Sequence, residues 1–291
     1  MNESEIAFKI NRIRNLLNDL EKSLTDNISD ELLMSPDKYS ALKNLLFSDE
    51  WPKAVEEEMI CDETSDVDKT SRAQGMLETI ISDPLDGKRA LDFGTGEGHV
   101  VREMVKKGAD YAMGFDIAGN FIKKDPKMEF ATDWKIVQNH GPYDIIICCD
   151  VLDHLVNSDP VEALKKMKSV LTPEGRIYLR RHNYMSRHGA HLYKQLNKAF
   201  IHLIFTESEL HDLIPDLKLM PTYKVYFPIK TYNDQIQNSK LNIDFEFKTT
   251  TPVESIFERN EFLERIYTNT PFKHFPRNQL ELDFVDYTLK H

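Results

Sequence analysis

Several features that would decide the class of a 291-residue chain outright are scarce in this sequence. It has three cysteines; Cys148 and Cys149 are adjacent, so on a strand they would point to opposite faces, and Cys61 is far away in sequence. A structural disulfide and a cysteine-built zinc site are therefore not expected. No apolar run nears the roughly 20 residues of a membrane helix; the longest is the short IIICC at 145–149. The polar start MNESE lacks the apolar segment of a secretory signal, so a cytoplasmic protein without membrane contact is expected. Net positive charge is missing too. At a formal −11 the chain is unsuited to binding nucleic acid or anionic membranes by bulk charge. One stretch lacks the opposite sign: from Arg176 to Thr206 there are six Lys or Arg, four His and no Asp or Glu.

What is present belongs to a globular protein, with 41% hydrophobic and 29% charged residues, enough for one large domain and additions. Ile6, Ile10, Ile13, Leu17, Leu20 and Leu24 recur at alternating spacings of four and three, which predicts a helix. Its seam is shorter than a secure coiled coil and leaves two uses open, packing on the protein's own body or a homo-oligomer through residues 6–24. Further helices are expected in SPDKYSALKNLLFSDEW, WPKAVEEEMI and SRAQGMLETIIS. At Arg89 the character changes. KRALDFGTGEGHVVREMVKKGADYAMGFDIAG reads as strand, glycine loop, amphipathic helix and a strand ending in an acid, the opening of a doubly wound α/β sheet. More strands are expected at 127–132, 143–149, 175–181, 223–229 and 241–251, the last two pairing as an antiparallel edge hairpin. Thr206 and Glu209 have the spacing of a capping box. The expected division is an N-terminal helical region over 1–69, a main domain over 70–255 and a C-terminal helical extension over 256–291.

A glycine loop between a first strand and a helix lets backbone N–H groups approach a ligand. Here it is Gly94, Gly96 and Gly98, and His99 stands where a dinucleotide fingerprint needs its third glycine, which disfavours NAD. Asp116 ends the second strand, where a carboxylate can accept from both hydroxyls of a ribose. An adenosine ligand is expected.

Taken together, LDFGTGEG, GFDI, ATDW, YDIIICCDVLDHL and LTPEGRIYLR resemble the ordered motifs of class I S-adenosylmethionine-dependent methyltransferases, over roughly 70–255. The resemblance implies a seven-stranded, mostly parallel, Rossmann-like sheet, S-adenosyl-L-methionine as cofactor, and methyl transfer as the reaction. It implies that Asp92, Gly94, Gly96 and Gly98 embrace the amino acid part of the cofactor and that Asp116 holds the ribose. By the same resemblance Asp133 and Trp134 flank the adenine, and Asp150 lies beside the methyl group. Two departures stand out: Glu174 replaces a frequent second glycine before the fifth strand, and 116–143 is short for two crossovers, so the helices around the third strand must be abbreviated.

A sulfonium already makes its methyl electrophilic, so such a protein mainly positions the acceptor and, where needed, removes a proton. The candidate bases are Asp153 and His154, just beyond the fourth strand, and His182 at the end of the fifth. Arg180, Arg181, Arg187 and His188 fall where an open α/β sheet binds ligands, and are expected to receive an anionic small molecule or conjugate. The other reading is a solvated basic helix face, with Lys194 and Lys198 on it and arginines paired to acids. His188 and His191 without a third ligand do not make a metal site. The fourth strand is followed by DVLD rather than an Asn/Asp/Ser-Pro-Pro-Tyr/Phe motif, and no Pro-Cys nucleophile is present, which argues against DNA bases as acceptors. RNA or a nucleotide remains a less favoured acceptor, with Tyr184 and Tyr193 as stacking surfaces. A methyltransferase-like interaction subunit assembled through the N-terminal helix is the alternative of a different class.

Overall fold

The computed structural model describes residues 36–57, 65–122, 125–155, 159–219, 229–252 and 277–291. The chain leaves its first strand, β1 (Arg89–Phe93), in both directions. β2 (Tyr111–Phe115) and β3 (Met128–Ala131) add on one side, β4 (Tyr143–Cys149) and β5 (Leu171–His182) on the other, all parallel. β6 (Asn242–Thr250) and β7 (Leu282–Lys290) complete the sheet, with β7 antiparallel to both β5 and β6. The order β3-β2-β1-β4-β5-β7-β6 reverses between β1 and β4, and in an open α/β sheet the crevice at such a reversal is where ligands bind.

Eight helices flank the strands among the described residues: α1 (Pro36–Leu46), α2 (Asp66–Ile80), α3 (His99–Lys106), α4 (Trp134–His140), α5 (Pro160–Ser169), α6 (Ile201–Ile204), α7 (Glu207–Leu213) and α8 (Ile229–Asn238). Side chains alternate across a strand, so a strand covered on both faces must be apolar throughout. IIICC meets this condition. Ile146 and Cys148 join Leu91, Met113, Ile177 and Leu179 under α4, α5 and α8, whereas Ile145 and Ile147 join Ala90, Ala112 and Tyr178 under α2 and α3. Sequence punctuation sets the helix ends: Asp159 caps α5 ahead of Pro160, and the Thr206–Glu209 capping box starts α7. The connection from β2 to β4 is indeed abbreviated, with α4 spanning only seven residues.

A third cluster joins the chain before the sheet to the chain after β5. Leu42, Leu46 and Trp51 pack with Phe200, Ile204, Phe205 and Leu210, while Trp51 Nε1 donates to the Ala199 carbonyl at 3.0 Å. This contact corrects the expected helix WPKAVEEEMI, whose residues 51–56 are not helical. Their backbone is spent on tertiary partners: the Asn197 side chain accepts from the N–H groups of Ala54 and Val55 and donates to the Val55 carbonyl. Tertiary demand of this kind routinely overrides helix propensity.

Two further expectations are corrected. Residues 282–290 form a strand rather than part of a helical extension and pair with β6, and Ile229, expected to end a strand, begins α8. The register is pinned by a cross-strand pair. Arg180 lies opposite Asp286 and binds it through two hydrogen bonds of 2.7 and 2.8 Å, beneath a cation–π contact with Phe284. The helix expected over 6–24 and all but the last residue of the strand expected over 223–229 lie outside the described residues. Among the described residues no helix is long and apolar enough to cross a membrane.

Candidate functional site

At the carboxyl ends of β1, β4 and β5 a cavity of about 720 Å³ opens, walled by the glycine loop, one face of α2, and residues that follow β4 and β5. The loop owes its course to two crowded glycines. A Cβ at Gly94 would lie 2.2 Å from Val151 Cγ2 and one at Gly98 2.3 Å from Phe130 Cε1, and both residues have positive φ. No other residue type permits both the approach and the conformation. Asp92, at the end of β1, is buried against this loop; its Oδ2 and the Thr95 Oγ1 are buried atoms without hydrogen-bond partners, and both residues line the cavity. Burial pushes the Asp92 carboxyl up to about 7. Such a group is poised to receive a cationic ligand group, whose charge would replace the missing solvation.

Asp150 follows β4 in the left-handed region, φ 58°, a conformation that is strained for a residue with a side chain. Its carboxylate stands 3.1 Å from His182 Nε2 and 3.6 Å from Arg72 of α2. Burial works against charge on both partners, yet their mutual attraction prevails. Asp150 is held below the ordinary carboxylate range, and the His182 pKa is raised with help from Asp153. Their attraction thus favours the imidazolium–carboxylate form of the pair. Around it, the His191 ring lies 4.7 Å from that of His182 and 5.4 Å from that of His154. Burial, then the charge of His182, push His191 down to about 3, so it is a neutral ring. His154, His191, Tyr193 and Lys194 line the same cavity.

The other residues singled out in the sequence divide into two groups. Asp116 accepts from the Gly96 N–H at 2.8 Å and the Ala118 N–H at 2.9 Å, so its carboxylate ties β2 to the glycine loop. Asp133 caps α4 by accepting from the Lys135 N–H, and Trp134 packs edge-on to Phe93 and Phe115; these two and Asp116 lie outside the cavity lining.

The expected anion receiver is corrected by the geometry. Arg180 is bound by Asp286. Arg181 is 0% exposed and bonded to Asp153 and Gln235. Arg187 and His188 both face the buried Asp283, at 3.5 and 3.4 Å, and burial depresses the His188 pKa. None of these four lines the cavity. Nor is the stretch a solvated helix face: its only helical turn before Ile201 is the short 3-10 segment Leu192–Lys194, and Lys198 donates to the Ser48 carbonyl. Arginine attracts carboxylates wherever they lie: Arg180 and Arg187 are claimed by acids of β7, about 100 residues downstream, and Arg181 by Asp153 after β4. Asp153 likewise accepts from Arg181 and from the His182 N–H, so both its oxygens are engaged.

One contributor was missed in the sequence, the helix that precedes β1. Lys69, Arg72, Ala73 and Met76 form one face of α2 and line the cavity. Their spacing of three, one and three was legible as a helix face, but nothing in it said that the face meets a ligand rather than core. Among the described residues no His/Cys/Asp/Glu group could hold a metal ion.

A family model described as methyltransferase domain matches residues 69–217, just over half of the chain. A tRNA U34 carboxymethyltransferase of Campylobacter curvus is 30% identical over 105 residues, 33% of this chain and 35% of that protein. A ubiquinone biosynthesis O-methyltransferase of Vibrio parahaemolyticus is 26% identical over 113 residues, 33% of this chain and 45% of that protein. The chain thus matches between a third and a half of the length of these relatives. A solved S-adenosylmethionine-dependent methyltransferase from Archaeoglobus fulgidus aligns over 76% of this chain and 92% of its own, at 17% identity and a TM-score of 0.46.

Proposed function

Because the chain belongs to the class I S-adenosylmethionine-dependent methyltransferase family, we propose that it transfers a methyl group to an anionic acceptor seated against the histidines beyond β4 and β5. The observation that carries this reading is the convergence on one cavity of the buried Asp92 carboxylate and the Asp150–His182 pair. Asp92, Thr95 and the glycine loop fit the amino acid end of S-adenosylmethionine, with Asp92 taking its ammonium and Lys69 or Arg72 near enough to the cavity for its carboxylate. Asp116 is the candidate for the ribose, sharing an oxygen with the Gly96 N–H; Asp133 and Trp134 are the candidates for adenine. When bound, the cofactor supplies an electrophilic methyl group.

The protein's own part is to hold the acceptor and exclude water. His182, whose protonated form Asp150 favours, is in that form a poor proton acceptor but a good electrostatic partner for an acceptor that arrives as an anion. Lys194 adds positive charge to the same wall, and His154 and His191 present ring faces there. In this reading the acceptor role passes from Arg180, Arg181, Arg187 and His188 to His182, His154 and Lys194, and Asp153 is not a base.

The test is transfer of labelled methyl from the cofactor to fractionated metabolite pools and to bulk tRNA by the full chain. We expect labelling of an acidic small molecule or conjugate. His182→Gln should lower acceptor kcat/KM by about 10- to 100-fold with cofactor affinity changed by less than about 3-fold. Labelling of tRNA alone would overturn the small-anion reading, and tight cofactor binding without any transfer would favour an interaction subunit.

A further inference from the structure

We propose that Asp153, Arg181 and Tyr232 are positioning residues that clamp the main chain of His182 and so hold its imidazole against Asp150 beside the cavity. The need arises from strand length. β5 outruns β4: the last rung between them is the Asp150 N–H to the Arg180 carbonyl, at 3.3 Å. The next β5 residue whose backbone faces that way is His182, and no strand lies opposite it there. A half-buried N–H and C=O left without partners would each forfeit their hydration with nothing in return.

Two side chains take the place of the missing strand. Asp153, on the 3-10 turn Leu152–His154 directly after β4, accepts from the His182 N–H at 2.8 Å. Tyr232 of α8 donates its hydroxyl to the His182 carbonyl at 2.7 Å. Arg181, on the face of β5 opposite to His182, ties the two together. Its Nε donates to Asp153 at 3.1 Å, its guanidinium lies 3.6 Å from the Tyr232 ring centroid, and Nη1 donates to Gln235, also on α8, at 2.6 Å. Stability alone does not call for this arrangement, because well-packed apolar residues usually stabilise a core at least as well as a buried ion pair. What the arrangement adds is direction: both backbone groups of one residue are fixed, and that residue carries the ring that faces Asp150.

The charged and titratable groups around His182 are Asp150 and Asp153 after β4, Arg180 on its own strand, and His188 and His191 in the following loop, with Arg72 of α2 reaching Asp150. Loosening the clamp should let the ring drift from Asp150, weakening the interaction that keeps it protonated, so the His182 titration should move down in pH.

The deciding variant is Tyr232→Phe in the full chain, which loses one hydroxyl and keeps the ring under Arg181; Asp153→Asn is the companion, although it strands the Arg181 charge. Histidine ring signals are followed by NMR against pH, with the His182 signal assigned by its loss in His182→Gln. Binding of S-adenosylhomocysteine is measured alongside. For Tyr232→Phe we expect a lower His182 midpoint, ligand affinity changed by less than about 3-fold, and acceptor turnover, where an acceptor is in hand, reduced by about 10-fold. An unmoved midpoint in a folded but less stable Tyr232→Phe protein would overturn the clamp and leave the hydroxyl a packing group. The proposal rests on the methyl-transfer reading only for the turnover effect. Failure to find any acceptor would count against that reading, while the titration still decides the clamp.

Discussion

Gly94→Ala is expected to destabilise the protein by roughly 3 kcal/mol, combining a left-handed conformation with steric overlap. At φ 83° an L side chain is strained, and the added Cβ would overlap Val151 Cγ2 at 2.2 Å and Cγ1 at 2.7 Å. Valine is stiff at χ1 and cannot swing aside, so the clash must be relieved by moving the chain just after β4. That movement displaces Asp150, the neighbour of Val151, and with it the pairing to His182. Gly96→Ala is the internal comparison. Its φ of 56° is the left-handed well proper and its Cβ would meet no protein atom within 4 Å, so the stability loss should be about 1 kcal/mol. Chemical denaturation of the three proteins checks this, and equal losses would mean that the Val151 contact does not set the loop's path.

Arg181→Ala should have the larger effect on folding, about 3 to 5 kcal/mol, the usual result of breaking a buried ion pair by removing one partner. The guanidinium is 0% exposed, and its loss removes the Arg181 donors from Asp153 Oδ1 and Gln235 Oε1 and the stacked neighbour from Tyr232. An acceptor-binding arginine would give the opposite pattern, with native stability and impaired turnover. Urea denaturation separates the two. A stability loss below about 1 kcal/mol would restore Arg181 as a surface ligand.

The contrast between these two residues explains what was legible in the sequence. Gly94, Asp92, Asp116 and Asp150 occupy positions set by local geometry, a turn after a strand or the last residue of one, and local pattern places such residues well. IIICC identified a doubly covered strand because both its faces had to be apolar. Arg180 and Arg181 lie near the end of β5 and Arg187 follows it, but their partners are Asp286, Asp153 with Gln235, and Asp283, chosen by the tertiary fold. The strand that supplies two of those acids was itself misread. ELDFVDYTLK alternates as a strand should, yet strand pairing over such a distance leaves no local mark. Trp51 is a similar case: its helix-like surroundings gave way to a contact with Ala199.

Whether Asp92 and the glycine loop seat the ammonium-bearing end of an S-adenosyl cofactor is decided by calorimetric titration of S-adenosylhomocysteine into the native chain and into Asp92→Asn, at about pH 6 and about pH 7.5. Burial lifts the free Asp92 carboxyl to about 7, and a bound ammonium would depress it. Binding must then release a proton, and affinity must rise as the pH climbs through 7, by roughly 8-fold over this interval. Asp92→Asn, with no proton to release, should bind about 10- to 100-fold more weakly at the higher pH and lose the pH dependence. Native affinity in Asp92→Asn, or no binding by the native chain at either pH, would contradict the assignment of this cavity to the cofactor.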